Sequence, residues 1–143
     1  MKYVEEVVHR TREFETSDTS NVYSEIRSLL DDKIAFGSVD EVKYINDVDD
    51  GVIRAKIETM DQYDKYFFEE IEIYITIKEN RFKIEIKGDL TARYPTPGWK
   101  GNMFYYAYIA LLHRFIGLKN EHKYETWVEG KVDQIMRNIE RIF

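Results

Sequence analysis

No cysteine occurs among the 143 residues. Disulfides, thiol catalysis and thiolate metal sites are therefore excluded, and the lack fits an intracellular protein. Proline is almost missing: the two prolines, Pro95 and Pro97, stand in one short stretch. Long apolar runs are missing as well. The longest, Met103 to Leu112, is too short to cross a bilayer core of about 30 Å. The opening MKYVEEVVHR lacks the apolar segment of a secretory signal, so the expected location is cytoplasmic, away from membranes. No three Lys or Arg adjoin, and the formal net charge is −6. A domain that neutralises phosphates needs a basic face, so no nucleic-acid partner is expected.

Charged residues make up 34% of the chain and apolar residues 43%, the balance of an ordinary globular fold. No repeat, low-complexity tract or linker divides it, and residues 1–143 read as a single domain. Aromatics reach 15%, with 11 tyrosines. A buried tyrosine needs a partner for its hydroxyl, so this content suits a mixed interior, an interface or a pocket.

Residues 2–16 fit both helical spacing (Tyr3, Val4, Val7, Val8, Thr11, Phe14) and an edge strand through VVHRTREF. The reading favours a strand over the second half. SDTSN is rich in N-cap residues and opens a helix to about Asp31, with Val22, Ile26, Leu29 and Leu30 on one face. From Lys33 to Tyr94 the period becomes two. Val42 and Tyr44 alternate with charged residues up to NDVDDG, a turn signal. Ile53, Ala55 and Ile57 then alternate with Arg54, Lys56 and Glu58, as in a strand with one wet face.

The next two strands form the clearest feature. Phe67, Ile71, Ile73, Ile75 and Ile77 alternate with polar residues, and so do Phe82, Ile84, Ile86 and Leu90. Folded as a hairpin about Glu79-Asn80, Ile77 meets Phe82, Ile75 meets Ile84 and Ile73 meets Ile86. On the other face Glu72 meets Lys87. A one-residue slip would carry one strand's isoleucines to the wet face, so the register is specified. Lys78 opposite Arg81 is unfavourable and predicts a looser turn. Gly88 falls opposite Ile71, where the strand must bend or accept a close neighbour.

After Pro95 and Pro97 end the ladder, GWKGN turns the chain into a second helical segment. Met103 to Ile116 is apolar nearly all round, with only His113 and Arg114 strongly polar in its last turn. It is expected to be a buried helix. From Glu121 the chain reads as an amphipathic helix. Val128, Val132, Ile135, Ile139 and Ile142 form a heptad-like seam. Packing of that seam onto the 103–116 helix is the favoured reading, hence a monomer, with a homodimer seam as the alternative.

Motifs for chemistry are sparse. His9, His113 and His122 share no helical spacing, and no HExxH occurs, so no metal site is expected. His113 reads as a residue suited to a helix C-terminus, with a general base as the alternative. NDVDDG fails the EF-hand pattern, because Val48 and Ile57 stand at ligand positions. Of Glu69, Glu70 and Glu72, the last two share the outer face and read as solvated. No phosphate-cradling loop appears, and no cofactor is expected. Trp99 in the turn, with Tyr105 and Tyr108 three apart on one helix face and His113 beyond, makes the candidate ligand-lining set.

The expected fold is thus α+β: a curled antiparallel sheet of four to six strands, one face covered by helices. These include a buried helix near 103–116 and the C-terminal amphipathic helix. In element order this resembles the helix-grip architecture of START and Bet v1-like domains, without any motif in common. The resemblance implies a cavity for an apolar ligand between sheet and helix. The function expected is non-enzymatic binding of a small apolar ligand or a protein partner in that cavity. Its alternatives are an enzyme using a histidine or carboxylate there, or an oligomer built through the last helix.

Overall fold

The computed structural model describes residues 2–16, 19–33, 38–47, 51–93, 107, 111 and 118–143. Strand β1 (Lys2–Glu15) leads to helix α1 (Val22–Ser28), which runs on into a π-helical turn, Leu29–Lys33. Strands β2 (Ser38–Asp47), β3 (Val52–Gln62), β4 (Phe67–Lys78) and β5 (Arg81–Arg93) follow, and α2 (Leu118–Ile142) ends the chain. The strands form one antiparallel sheet in the order β1-β5-β4-β3-β2. The sheet is curled and unclosed, and the fold is α+β.

β1 is a strand over its whole length, paired with β5 from Lys2 opposite Arg93 to Glu15 opposite Arg81. Its register shifts between Glu6 and Val8. This bulge is why the segment reads ambiguously: one extra residue breaks the period of two and leaves Val4, Val7 and Val8 at helix-like spacing. The β4–β5 hairpin has the predicted register at every pair, including Ile75 opposite Ile84, Glu72 opposite Lys87 and Gly88 opposite Ile71. The looser turn is not found. Lys78 pairs with Arg81 across two residues, with Glu79 at φ 56. Arg81 instead reaches Glu15 of β1 at 3.0 Å, which removes the strain of two facing cations. Asp47 of the NDVDDG stretch pairs with Val52, and Gly51 stands at φ 65, where glycine carries no steric cost.

One face of the sheet carries the core. Ile57, Ile71, Ile73, Ile75, Phe82, Ile84 and Ile86 are buried, together with Val22, Ile26, Leu29 and Leu30 from the helical segment. Asn21 stands at the N-cap of α1, yet its side chain makes no capping bond. Instead its carbonyl accepts from the Glu25 amide at 2.9 Å and the Ser24 hydroxyl at 3.0 Å.

The seam of α2 lies on the sheet itself rather than only against a neighbouring helix. Val128, Val132, Ile135 and Ile139 are all buried in the core that the strands form. At Gly88 a methyl group would stand 2.7 Å from Val128 Cγ1 and 2.9 Å from both Val132 Cγ2 and Val8 Cγ1. The missing side chain is what lets the helix seat there. Around that seat Arg10 pairs with Glu129 and Asp133, and Arg12 with Glu140, so the end strand and the helix are laced by charge. Of the segment expected as a buried helix, 103–116, all but Ala107 and Leu111 lies outside the described residues. Those two are helical, and both are exposed, Leu111 at 53%.

Two measurements check this packing. Gly88→Ala should lower unfolding stability by about 1–3 kcal/mol in urea titrations, because β-branched valines cannot swing aside. An unchanged midpoint would show that the helix does not seat at Gly88. Because the α2 seam is filled by the chain's own core, the melting midpoint should be independent of protein concentration. A midpoint that rises with concentration would restore the homodimer reading.

Candidate functional site

The alternation of β4 runs Phe67, Glu69, Ile71, Ile73, Ile75, Ile77 on the core face, all buried. Glu69 is therefore a carboxylate in a row of isoleucines, at 0% exposure. Asp61 of β3 lies directly opposite it. Two carboxylates facing each other across strands repel. Lys131, one turn along α2 from Val128, resolves this. Its Nζ donates to Asp61 Oδ2 at 3.0 Å and to Glu69 Oε2 at 3.3 Å. The Tyr63 hydroxyl donates to the same Glu69 oxygen at 2.5 Å. Glu69 Oε1 has no hydrogen-bond partner.

Burial pushes the Glu69 carboxyl above its ordinary value, against the opposing pull of Tyr63 and Lys131. Tyr63 is raised by burial and then by its bond to Glu69. Beside them Asp64 organises the β3–β4 connection. Its Oδ1 accepts from the amides of Tyr66 at 2.8 Å and Phe67 at 2.9 Å, and its Oδ2 from the Tyr124 hydroxyl at 2.6 Å. Burial works to raise Asp64, but these three bonds together hold it below its ordinary value. The bond to Asp64, then burial, pushes Tyr124 up to about 12. Trp127 closes the cluster, 5.3 Å from the rings of both Tyr63 and Tyr124, and remains 46% exposed. The cluster clasps α2 to one end of the sheet, and its polar atoms are turned on one another.

The outer face carries a cluster of acids at one end. At the end nearer the β3–β4 connection, Glu6, Glu70 and Asp89 share one cross-strand row, and Glu58 and Glu72 the next. Asp89 is raised by burial and then by the charges of Glu72, Glu6 and Glu70. A cleft of about 300 Å³ lies there, lined by Asp40, Glu58, Met60, Glu70 and Arg93 among others. Toward the other end, a cleft of about 450 Å³ spans β2, β3 and β4. Ile45, Arg54 and Thr76 form one cross-strand row of it, and Lys56 and Tyr74 the next. Lys56 sits 5.4 Å over the Tyr74 ring and pairs with Glu58 at 3.1 Å and Glu72 at 3.9 Å. The Tyr74 hydroxyl donates to Glu72 at 2.5 Å, which fixes the ring as a wall.

Trp99, Tyr105, Tyr108 and His113 all lie outside the described residues. Where a ligand cavity is expected, between the sheet and α2, the described residues place core side chains such as Ile86, Val132 and Ile135. The solvated reading holds for Glu70 and Glu72, which meet Arg93 and Lys56. Glu69, one residue before Glu70, points to the core face instead. His9 is the partner of Glu85, with Nε2 2.6 Å from Oε1. Among the described residues no three His, Cys, Asp or Glu side chains stand close enough to hold a metal ion, and no helix is long and apolar enough to cross a membrane. No protein-family model matches the sequence, and no curated protein matches it at a significant level.

The buried carboxylate sets a pH dependence. Because the folded-state value of Glu69 is raised, the folded protein holds the proton more tightly than the unfolded chain. Its contribution is fully present below the ordinary value of 4.5 and is lost as pH rises from there through the raised value. Stability of the native sequence minus that of Glu69→Gln, measured by urea unfolding across this window, should therefore fall with rising pH. The slope cannot exceed about 1.4 kcal/mol per pH unit for one proton. A difference that is flat or rises with pH would show that Glu69 is ionised throughout.

Proposed function

We propose that this chain is a non-enzymatic binding domain that takes a small apolar ligand into the cleft over β2, β3 and β4. The cleft carries the reading. Its volume of about 450 Å³ lies within the range of small-molecule sites, and Ile45 and the Tyr74 ring give it apolar surface beside the polar Arg54, Lys56 and Thr76. Ile45 is 39% exposed at its rim, an apolar side chain with no cover of its own. The position of the acid–base groups supports binding over catalysis. Glu69, Asp61, Lys131 and Tyr63 are bonded to one another beneath α2, on the opposite face from the cleft. The antiparallel sheet with a C-terminal helix is compatible with the helix-grip architecture, and that likeness adds an analogy of fold to the argument. The proposed site is nonetheless on the outer face, away from the helix.

N-phenyl-1-naphthylamine, a neutral apolar fluorophore, tests the reading. Its emission should rise and saturate with added protein, and Ile45→Asp should abolish the rise. Ile45 is partly exposed near an end of the sheet, so its replacement should leave the melting midpoint nearly unchanged. No saturable uptake, or uptake indifferent to Ile45→Asp in a folded variant, would overturn the proposal.

A further inference from the structure

The cleft has a charge that the fold does not use. Arg54 projects from β3 between Ile45 and Thr76 and makes no ion pair among the described residues. Its neighbour Lys56 is spent on Glu58 and Glu72. Lys83, next in the row beyond Thr76, is likewise without an ion pair. The chain has 27 acidic residues against 21 basic ones, so carboxylates to neutralise Arg54 were in ample supply. Several are gathered at the other end of the same face, in the rows of Glu70 and Glu72, while Glu13, in Arg54's own row, lies beyond Thr76 and Lys83 and makes no ion pair with Arg54.

The two ends therefore treat an anion differently. In the rows of Glu58, Glu70, Glu72 and Asp89 it meets mostly like charge, which adds to burial in raising the Asp89 carboxyl. At the cleft it meets a guanidinium whose planar donors suit a carboxylate or sulfonate. Beside that guanidinium stand the exposed Ile45 and the ring of Tyr74 held by Glu72. A ligand that fits both has an apolar or aromatic body with one anionic head. We propose that the cleft selects amphipathic anions of this kind, with Arg54 binding the head and Ile45 and Tyr74 the body. This rests on the reading of the cleft as a ligand site, and refines it by naming the ligand's chemical class.

A matched pair of probes separates the two claims. 1-Anilinonaphthalene-8-sulfonate has the ring system of N-phenyl-1-naphthylamine with one sulfonate added. At low salt the sulfonate should bind about tenfold more tightly than the neutral probe, the effect of one charge-assisted contact. Arg54→Gln should bring the sulfonate's affinity down to that of the neutral probe on the same variant and remove its salt dependence. Should both probes bind equally, or Arg54→Gln leave the sulfonate's advantage intact, anion selection is wrong and the ligand site stands. If neither probe saturates on the folded native protein, both the selection and the site are wrong.

Discussion

The close approach of three valines at Gly88 is the contact on which the rest of the structure depends. Val8 from the end strand and Val128 and Val132 from α2 meet where β5 has no side chain. Any larger residue would lift the helix from the sheet. Seated there, the helix has one rotation that buries Val128, Val132, Ile135 and Ile139 together. The same rotation carries Lys131 to the flank, over Asp61 and Glu69, and turns Glu129, Asp133 and Glu140 toward Arg10 and Arg12. Arg10 and Arg12 stand opposite Ile86 and Ile84 in the register, on the core side of an end strand. Inward-pointing charge at such a strand is a means of discouraging edge-to-edge association, and here the helix supplies its partners.

The buried pair beneath α2 is best understood as orientation rather than as a gain in stability. Taking charges out of water costs several kcal/mol per ion, and a well-made pair roughly offsets this. Burial favours a proton on Glu69, and the neighbouring Asp61 charge adds to it, against the pull of Tyr63 and Lys131. What the arrangement secures is a place. With Asp64 tied to the β3–β4 connection and to Tyr124, α2 is held at its start as well as at Gly88.

Net charge conceals how the outer face is organised. A sum of −6 suggests a uniformly acidic surface. The strands instead crowd acids toward the β3–β4 connection, while toward the other end Arg54 and Lys83 share a row with Glu13 alone among the acids. Such a gradient can direct a ligand's head and tail even where the overall charge would repel it.

The sequence by itself determined strands β3, β4 and β5 and the pairing of β4 with β5. Alternation along β3, β4 and β5 specifies which face is buried, and matching two such patterns across Glu79-Asn80 leaves one register that keeps every isoleucine inside. Even the close contact at Gly88 was legible, since glycine in a strand interior signals a near neighbour. The bulge in β1 was not, because one inserted residue destroys the periodicity that would reveal it. Nor was the role of Glu69, although its parity marked it as core. A carboxylate at a buried position has meaning only with its partner, and Lys131 stands 62 residues away on a different element. Only the tertiary structure decided that pairing, and with it the unpaired state of Arg54. Period and register arise from neighbours along and across strands, whereas the pairing of charges depends on where a helix seats once the whole core is packed.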